Sequence, residues 1–111
     1  MINIIRDHIE KVLPDNWEKV DVFADITDTN YEISFFVFVN EKQYQCYQLN
    51  DEFSISEEKV NEAFEKIYSD LKEKGLINNK GFTFSFTKKK NGKPKTINEK
   101  YGMFDWLSEH L

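Results

Sequence analysis

The segment Ser56 to Lys74 constrains the fold most, because it is the clearest amphipathic helix in the chain. Acids and lysines cover most of its surface, and the apolar residues recur at helical spacing in one stripe: Val60, Ala63, Phe64, Ile67 and Leu71. Ser56 is suited to cap the first turn, and Gly75 follows the last turn, where a left-handed residue is favoured. A helix of this kind buries only one face, so it needs a second layer to pack against.

Segments with a two-residue period flank this helix and predict the strands of that second layer. The chain alternates from Val20 to Ile26 and again from Phe82 to Phe86, so we expect each of these strands to have one buried and one solvated face. The segment Ile33 to Val39 is apolar on both faces, which is typical of a central strand covered on both sides. Further strands are expected at Gln43 to Leu49 and at Lys93 to Asn98.

Two more helices are expected, one at each end of the chain. The first spans about residues 3 to 13 and ends at Pro14, and a short closing helix carries Met103, Trp106, Leu107 and His110 at helical spacing. Short connections, including the hairpin signal Asn91-Gly92, give the order α-β-β-β-α-β-β-α without regular βαβ alternation. We therefore expect an α+β fold, with helices packed on an antiparallel sheet of about five strands, in a single domain over residues 1–111.

The charge of the chain is acidic and unevenly distributed. Its 20 acidic and 15 basic residues give a net charge of −5, which disfavours general affinity for nucleic acid. Residues 1–81 carry 17 acids and 9 bases, a net of −8, whereas residues 82–111 carry 3 acids and 6 bases, a net of +3. This bias is as compatible with simple solubility as with a dedicated basic partner.

Residues that support catalysis or metal binding are scarce. The chain has one cysteine, Cys46, and two histidines, His8 and His110, each in a different predicted element. None of the four glycines belongs to a phosphate-binding loop. Because metal ligands and nucleophiles are also scarce, we expect no metal, no cofactor and no enzymatic activity. The lone cysteine, the lack of an export signal, and a longest apolar run of only Phe35 to Val39 favour a cytoplasmic protein over a membrane one.

Two surface features each allow two interpretations. The lysine-rich run from Lys88 to Lys95 is either a solvated hairpin protected against edge pairing, which we favour, or a contact for RNA or DNA. Tyr44 and Tyr47, which lie beside Gln45 and Gln48, either form a patch for a partner or pack within a strand. The sequence does not separate these last two interpretations.

Several segments, taken in order, resemble one protein family. Residues 13–20 read LPDNWEKV after an amphipathic helix, and the apolar strand EISFF follows at residues 32–36. A long acidic helix, the FTFSF strand at residues 82–86 with its lysine hairpin, and FDWL at residues 104–107 complete the pattern. The chain thus resembles the YezG-like family of bacterial antitoxin and immunity proteins. The most specific stretch has a structural explanation as well, because Pro14 stops a helix and Trp17 can cover the end of the core.

The resemblance implies a cytoplasmic protein that neutralises a secreted or contact-delivered toxin, often a nuclease, by binding its toxic domain. We expect the chain to be a monomer or weak dimer. A nuclease presents lysine and arginine to its substrate, so a carboxylate-rich surface is suited to occlude its cleft. We expect this surface at strand ends and at the start of the long helix, at Asp25, Asp28, Asp51, Glu52, Glu57 and Glu58. The alternative is a non-catalytic adaptor that binds protein or RNA through the hairpin from Lys88 to Lys95.

Overall fold

The computed structural model describes residues 2–77 and 81–88, together with the course of the strand at 95–97. Three helices accompany a five-stranded antiparallel sheet. The helices are α1 (Ile2–Glu10), α2 (Leu49–Phe53) and α3 (Glu57–Glu73). The strands are β1 (Trp17–Ile26), β2 (Tyr31–Val39), β3 (Lys42–Gln45), β4 (Gly81–Thr87) and β5 (Lys95–Ile97). The predicted α+β class, with helices on an antiparallel sheet, is confirmed.

The sheet has the order β3-β2-β1-β4-β5, which places β1 at its centre. The turn at Asn40 and Glu41 joins β2 to β3, and both residues have positive φ, as a two-residue hairpin of the favoured twist requires. After β3 the chain passes through α2 and α3 before β4 pairs with the other side of β1. The chain therefore crosses from one side of β1 to the other through α2 and α3.

Helix α3 follows the sequence prediction closely. The Ser56 side chain accepts a hydrogen bond from the Lys59 amide at 3.3 Å and so caps the first turn. Gly75 has a φ of +66°, and the Leu76 amide donates to the Leu71 carbonyl at 2.9 Å, which closes the last turn. All five apolar residues of the predicted stripe are buried. Phe64 packs edge-on against Phe35 of β2, with ring centroids 6.1 Å apart.

Helix α1 is shorter than predicted. The helix ends at Glu10, and residues 11–13 form a tighter turn in which the Val12 amide donates to the Ile9 carbonyl at 3.0 Å. Pro14 disfavours a helical backbone at the residue before it, which explains the early end. Pro14 and Trp17 are both buried, and Trp17 meets Phe86 edge-on at 5.5 Å. The most specific stretch of the family pattern thus covers the end of the core.

The predicted strand from Gln43 to Leu49 is wrong beyond Gln45. The Gln45 backbone amide donates to the Gln48 side-chain oxygen at 2.7 Å, and the Gln45 side-chain oxygen accepts from the Tyr47 backbone amide at 2.9 Å. These reciprocal bonds form a capping box that starts a 3-10 turn at Cys46–Gln48. Side chains that bond to the backbone compete with the ladder of a strand, so β3 stops after four residues. Helix α2 follows directly.

The sheet face that points away from α1 and α3 is more buried than predicted. Phe23, on the face of β1 that was expected to be largely solvated, has 0% of its surface exposed. Its register neighbours Ser34 and Thr83 are also buried, so the centre of this face excludes water. The Thr83 hydroxyl has no hydrogen-bond partner among the described residues. The prediction that β2 is covered on both sides is confirmed, since Ile33 to Val37 are all buried.

Several predictions near the C-terminus lie outside the described residues. They are the Asn91-Gly92 turn and the closing helix with Met103, Trp106, Leu107 and His110. The strand expected at Lys93 to Asn98 is confirmed at Lys95–Ile97, which pairs with β4.

Candidate functional site

Four of the predicted contact acids lie where α2 leads into α3. Asp51 and Glu52 are in the first turn of α2, and Glu57 and Glu58 are in the first turn of α3, where the helix dipole favours negative charge. All four are exposed. None of the ion pairs formed among the described residues includes any of these carboxylates. We call these four residues the corner acids.

The other two predicted acids lie at a different place, Asp25 near the end of β1 and Asp28 in the turn between β1 and β2. The Tyr68 hydroxyl donates to the Asp28 carbonyl oxygen at 2.9 Å, which places this turn beside the C-terminal half of α3. Glu57 precedes Tyr68 by eleven residues, which corresponds to about 16 Å along the helix axis. Asp25 lines an open pocket at the same turn, together with Thr27, Asn30, Tyr31 and Glu32. The six acids therefore form two groups rather than one.

The two tyrosines with alternative interpretations have different environments. Tyr44 is half-buried against the core and meets Phe53 edge-on at 5.2 Å, so it is a packing residue. Tyr47 is 39% exposed, and its hydroxyl donates to the Asn61 side chain at 2.7 Å. Its ring also lies edge-on to Phe64, with centroids 6.5 Å apart. Tyr47 is therefore a surface residue whose orientation is fixed from two sides.

Sequence reasoning missed two further tyrosines beside this one. The rings of Tyr31 and Tyr68 pack against each other, with centroids 4.9 Å apart and a tilt of 37°. Burial raises the pKa of Tyr31, and the charges of Glu65 and Tyr68 raise it further. The pKa of Tyr47 is likewise raised, first by burial and then by Cys46, Glu57 and Tyr31. A clue in the sequence was the position of Tyr68 next to the apolar stripe of α3.

Two of the three candidate reactive residues, His8 and Cys46, lie among the described residues, and each contacts another element of the fold. His8 Nε2 lies 2.7 Å from Asp70 Oδ2 and so joins α1 to α3. Cys46 is buried, with its sulfur 3.7 Å from the Ser34 hydroxyl, and burial raises the pKa of its thiol. A raised pKa keeps the thiol protonated, whereas nucleophilic catalysis uses the thiolate. Among the described residues, no group of three or more histidines, cysteines or carboxylates is arranged to hold a metal ion.

The lysine run begins with a residue that is engaged within the fold. Lys88 Nζ lies 5.7 Å from the centre of the Trp17 ring and donates to the Asp15 carbonyl oxygen. Lys89, Lys90 and Lys93 lie outside the described residues, and only the backbone of Lys95 is described, in β5. No helix in the part of the chain that the structure describes is long and apolar enough to cross a membrane.

Comparison with known proteins identifies the family. The family model described as "Immunity protein YezG-like" matches residues 1–106, which is nearly the whole chain. No curated protein matches the sequence. An immunity protein implies a cognate toxin as its partner. The resemblance carried by LPDNWEKV, EISFF, FTFSF and FDWL is thereby confirmed, and the chain belongs to the YezG-like family of immunity proteins.

Proposed function

We propose that this protein neutralises a nuclease toxin by placing exposed carboxylates in the basic cleft that the toxin uses for its substrate. The corner acids carry this proposal, because Asp51, Glu52, Glu57 and Glu58 are all exposed at the start of two consecutive helices. Acids arranged in this way imitate the phosphates of a nucleic acid. The protein needs no chemistry of its own for this role.

The acidic surface affects both the speed and the site of binding. The corner acids, which lie within one turn of a helix start, give this surface a negative potential. That potential attracts a basic cleft and raises the association rate. Asp25 and Asp28 lie at the other end of α3 and extend the negative surface there. The proposed toxin is delivered by contact-dependent inhibition or a related secretion system, and the protein meets it in the cytoplasm.

Charge reversal of the corner acids tests this function. The probe is the toxin domain that we expect the reading frame immediately upstream of the gene for this chain to encode. We expect lysine at all four positions to slow association by about tenfold or more at low ionic strength and to weaken protection of a nucleic-acid substrate. A matched control reverses four exposed acids elsewhere, at Asp7, Asp15, Glu41 and Glu73, and so changes the net charge equally.

The two variants together separate local contact from overall charge. Stopped-flow association and a nuclease assay are measured for both, with thermal unfolding as a check of the fold. Equal rates for the two variants would contradict a role for the corner acids in binding. If the unaltered protein fails to bind this toxin domain or to inhibit its cleavage of nucleic acid, the proposed function itself is wrong.

A further inference from the structure

The flank of α3 that begins at the corner acid Glu57 carries tyrosines, acids and Lys72. Glu57, Asn61 and Glu65 are spaced by four residues, and Tyr68 follows three residues later, so all four lie on one side of the helix. Tyr47 bonds to Asn61, and Tyr31 packs on Tyr68, so two tyrosines from outside the helix border this side. We call this surface the tyrosine face: Tyr31, Tyr47, Glu57, Asn61, Glu65 and Tyr68.

The aromatic rings of the tyrosine face are held in place before any partner arrives. The hydroxyls of Tyr47 and Tyr68 donate at 2.7 Å to Asn61 and at 2.9 Å to the Asp28 carbonyl. A tyrosine that is already oriented loses little conformational entropy on binding, which is one reason why tyrosine is enriched among residues that dominate interface energies. This face is therefore pre-organised as well as amphipathic.

The chemistry of the tyrosine face selects a cationic partner. Glu57 and Glu65 are exposed. Glu57 precedes Asn61, which binds Tyr47, by four residues, and Glu65 precedes Tyr68, which packs on Tyr31, by three, so each carboxylate lies next to one of these contacts on the helix surface. Lys72 Nζ, on the same side of α3, lies 5.3 Å from the centre of the Tyr68 ring, so that ring already contacts a cation of this chain. The Tyr47 ring, which is 39% exposed, is therefore the contact that we assign to a cation of the partner. Arginine both stacks on aromatic rings and pairs with carboxylates, which are the two groups that this surface offers.

We propose that the tyrosine face is the anchor of the toxin interface and that it binds an arginine-bearing surface of the toxin domain. This inference rests on the proposed function and deepens it, because it adds fixed aromatic contacts next to the corner acids. A second copy of this chain is a poor occupant, since a symmetric contact would place Glu57 and Glu65 against their own negative charge. Nucleic acid is repelled for the same reason.

Two single substitutions test the anchor against a matched control. With the upstream toxin domain as the probe, we expect Tyr47→Ala to raise the dissociation constant about 30-fold or more, mainly through faster dissociation. Tyr47→Phe keeps the ring and is expected to lose less affinity for the toxin domain than Tyr47→Ala. Leu76→Ala is the control, because Leu76 is 38% exposed, close to the 39% of Tyr47, but lies beyond the end of α3. It is expected to change the dissociation constant less than threefold.

A charge variant that leaves the core untouched gives a second test. Glu57→Gln with Glu65→Gln is expected to weaken binding at least tenfold and to reduce its dependence on salt, whereas Glu62→Gln with Glu73→Gln is expected to have a small effect. Wild-type affinity for Tyr47→Ala and for the Glu57 and Glu65 pair would overturn the anchor while leaving the proposed function standing. The anchor would also be overturned if the chain forms a dimer that Tyr47→Ala dissociates, or if it binds RNA and Tyr47→Ala abolishes that binding. Failure of the unaltered chain to bind the toxin domain would overturn both proposals.

Discussion

The two flanks of α3 differ in what they contact. One flank faces α1, where Asp70 accepts a hydrogen bond from His8 at 2.7 Å. The other flank carries the tyrosine face, and its Tyr68 lies about 160° around the helix from Asp70. Between them the buried stripe packs on the sheet, with Phe64 against Phe35. One helix thus combines a flank that joins two helices with a flank that presents rings and carboxylates to the surface.

This difference separates stability from binding along a single element. On the first flank, the His8 ring and the Asp70 carboxylate pair with each other within the fold. The hydroxyls of the second flank are also bonded, yet the Tyr47 ring and the Glu57 and Glu65 carboxylates remain exposed. Substitutions on the first flank should therefore change stability, and substitutions on the second should change affinity.

The largest effect is expected where the two flanks meet, at Phe64. Phe64 is buried between Phe35 and the edge of the Tyr47 ring, so Phe64→Ala leaves a cavity and removes a support of the tyrosine face. We expect the free energy of unfolding to fall by about 3–5 kcal/mol. Urea unfolding measures the loss, and Phe64→Leu, which keeps most of the volume, should lose clearly less. Equal losses for Ala and Leu would show that packing at this position is not specific.

A smaller effect is expected at the start of α3, which both flanks share. Ser56→Ala removes the oxygen that accepts from the Lys59 amide and should lower the free energy of unfolding by about 1 kcal/mol. The matched control is Ser69→Ala, at an exposed position inside the same helix, where alanine should stabilise by a few tenths of a kcal/mol, on the order of the propensity difference. If both substitutions destabilise α3 equally, the effect does not come from the cap.

Sequence patterns predicted the elements whose periodicity and end residues are visible in the residue types. Helix α3 was located from its stripe, with Ser56 and Gly75 at its ends, because caps and periodicity involve residues close in the chain. The end of β3 was missed because the reciprocal bonds of Gln45 and Gln48 do not show in a strand-like pattern. The burial of Phe23 was missed because its neighbours come from β2 and β4.

The candidate site shows the same limit. The corner acids were predictable, since α2 and α3 are consecutive and their first turns favour carboxylates. Asp25 and Asp28 were expected near them, but the turn they occupy lies beside Tyr68, which only the packing of α3 on β2 determines. The tyrosine face unites residues from positions 31, 47 and 68 of the chain, and no local pattern links those positions.

The smallest effect is expected at the α1-facing flank, where Asp70 can be tested by pH. The hydrogen bond from His8 holds the pKa of Asp70 below its ordinary value of 3.8. Because the folded-state pKa is the lower one, the pair stabilises the protein above pH 3.8, and that contribution disappears as the pH falls through the folded-state pKa. The Asp70 side chain is 36% exposed, so solvent screening keeps the gain small.

Asp70→Asn should therefore be less stable than the unaltered protein at pH 5, and the difference should shrink as the pH falls below 3.8. Urea unfolding at pH 5 and at pH values below 3.8 measures this difference in the free energy of unfolding. His8→Asn should reproduce the same profile, and the double variant should add little, because the two substitutions break one interaction. Toxin affinity should stay unchanged in all three variants, since the pair lies on the flank away from the tyrosine face. Loss of toxin affinity in Asp70→Asn would contradict the division of α3 into a structural flank and a binding flank. Parallel curves of stability against pH for Asp70→Asn and the unaltered protein would contradict the His8 contact as the cause of the pH dependence.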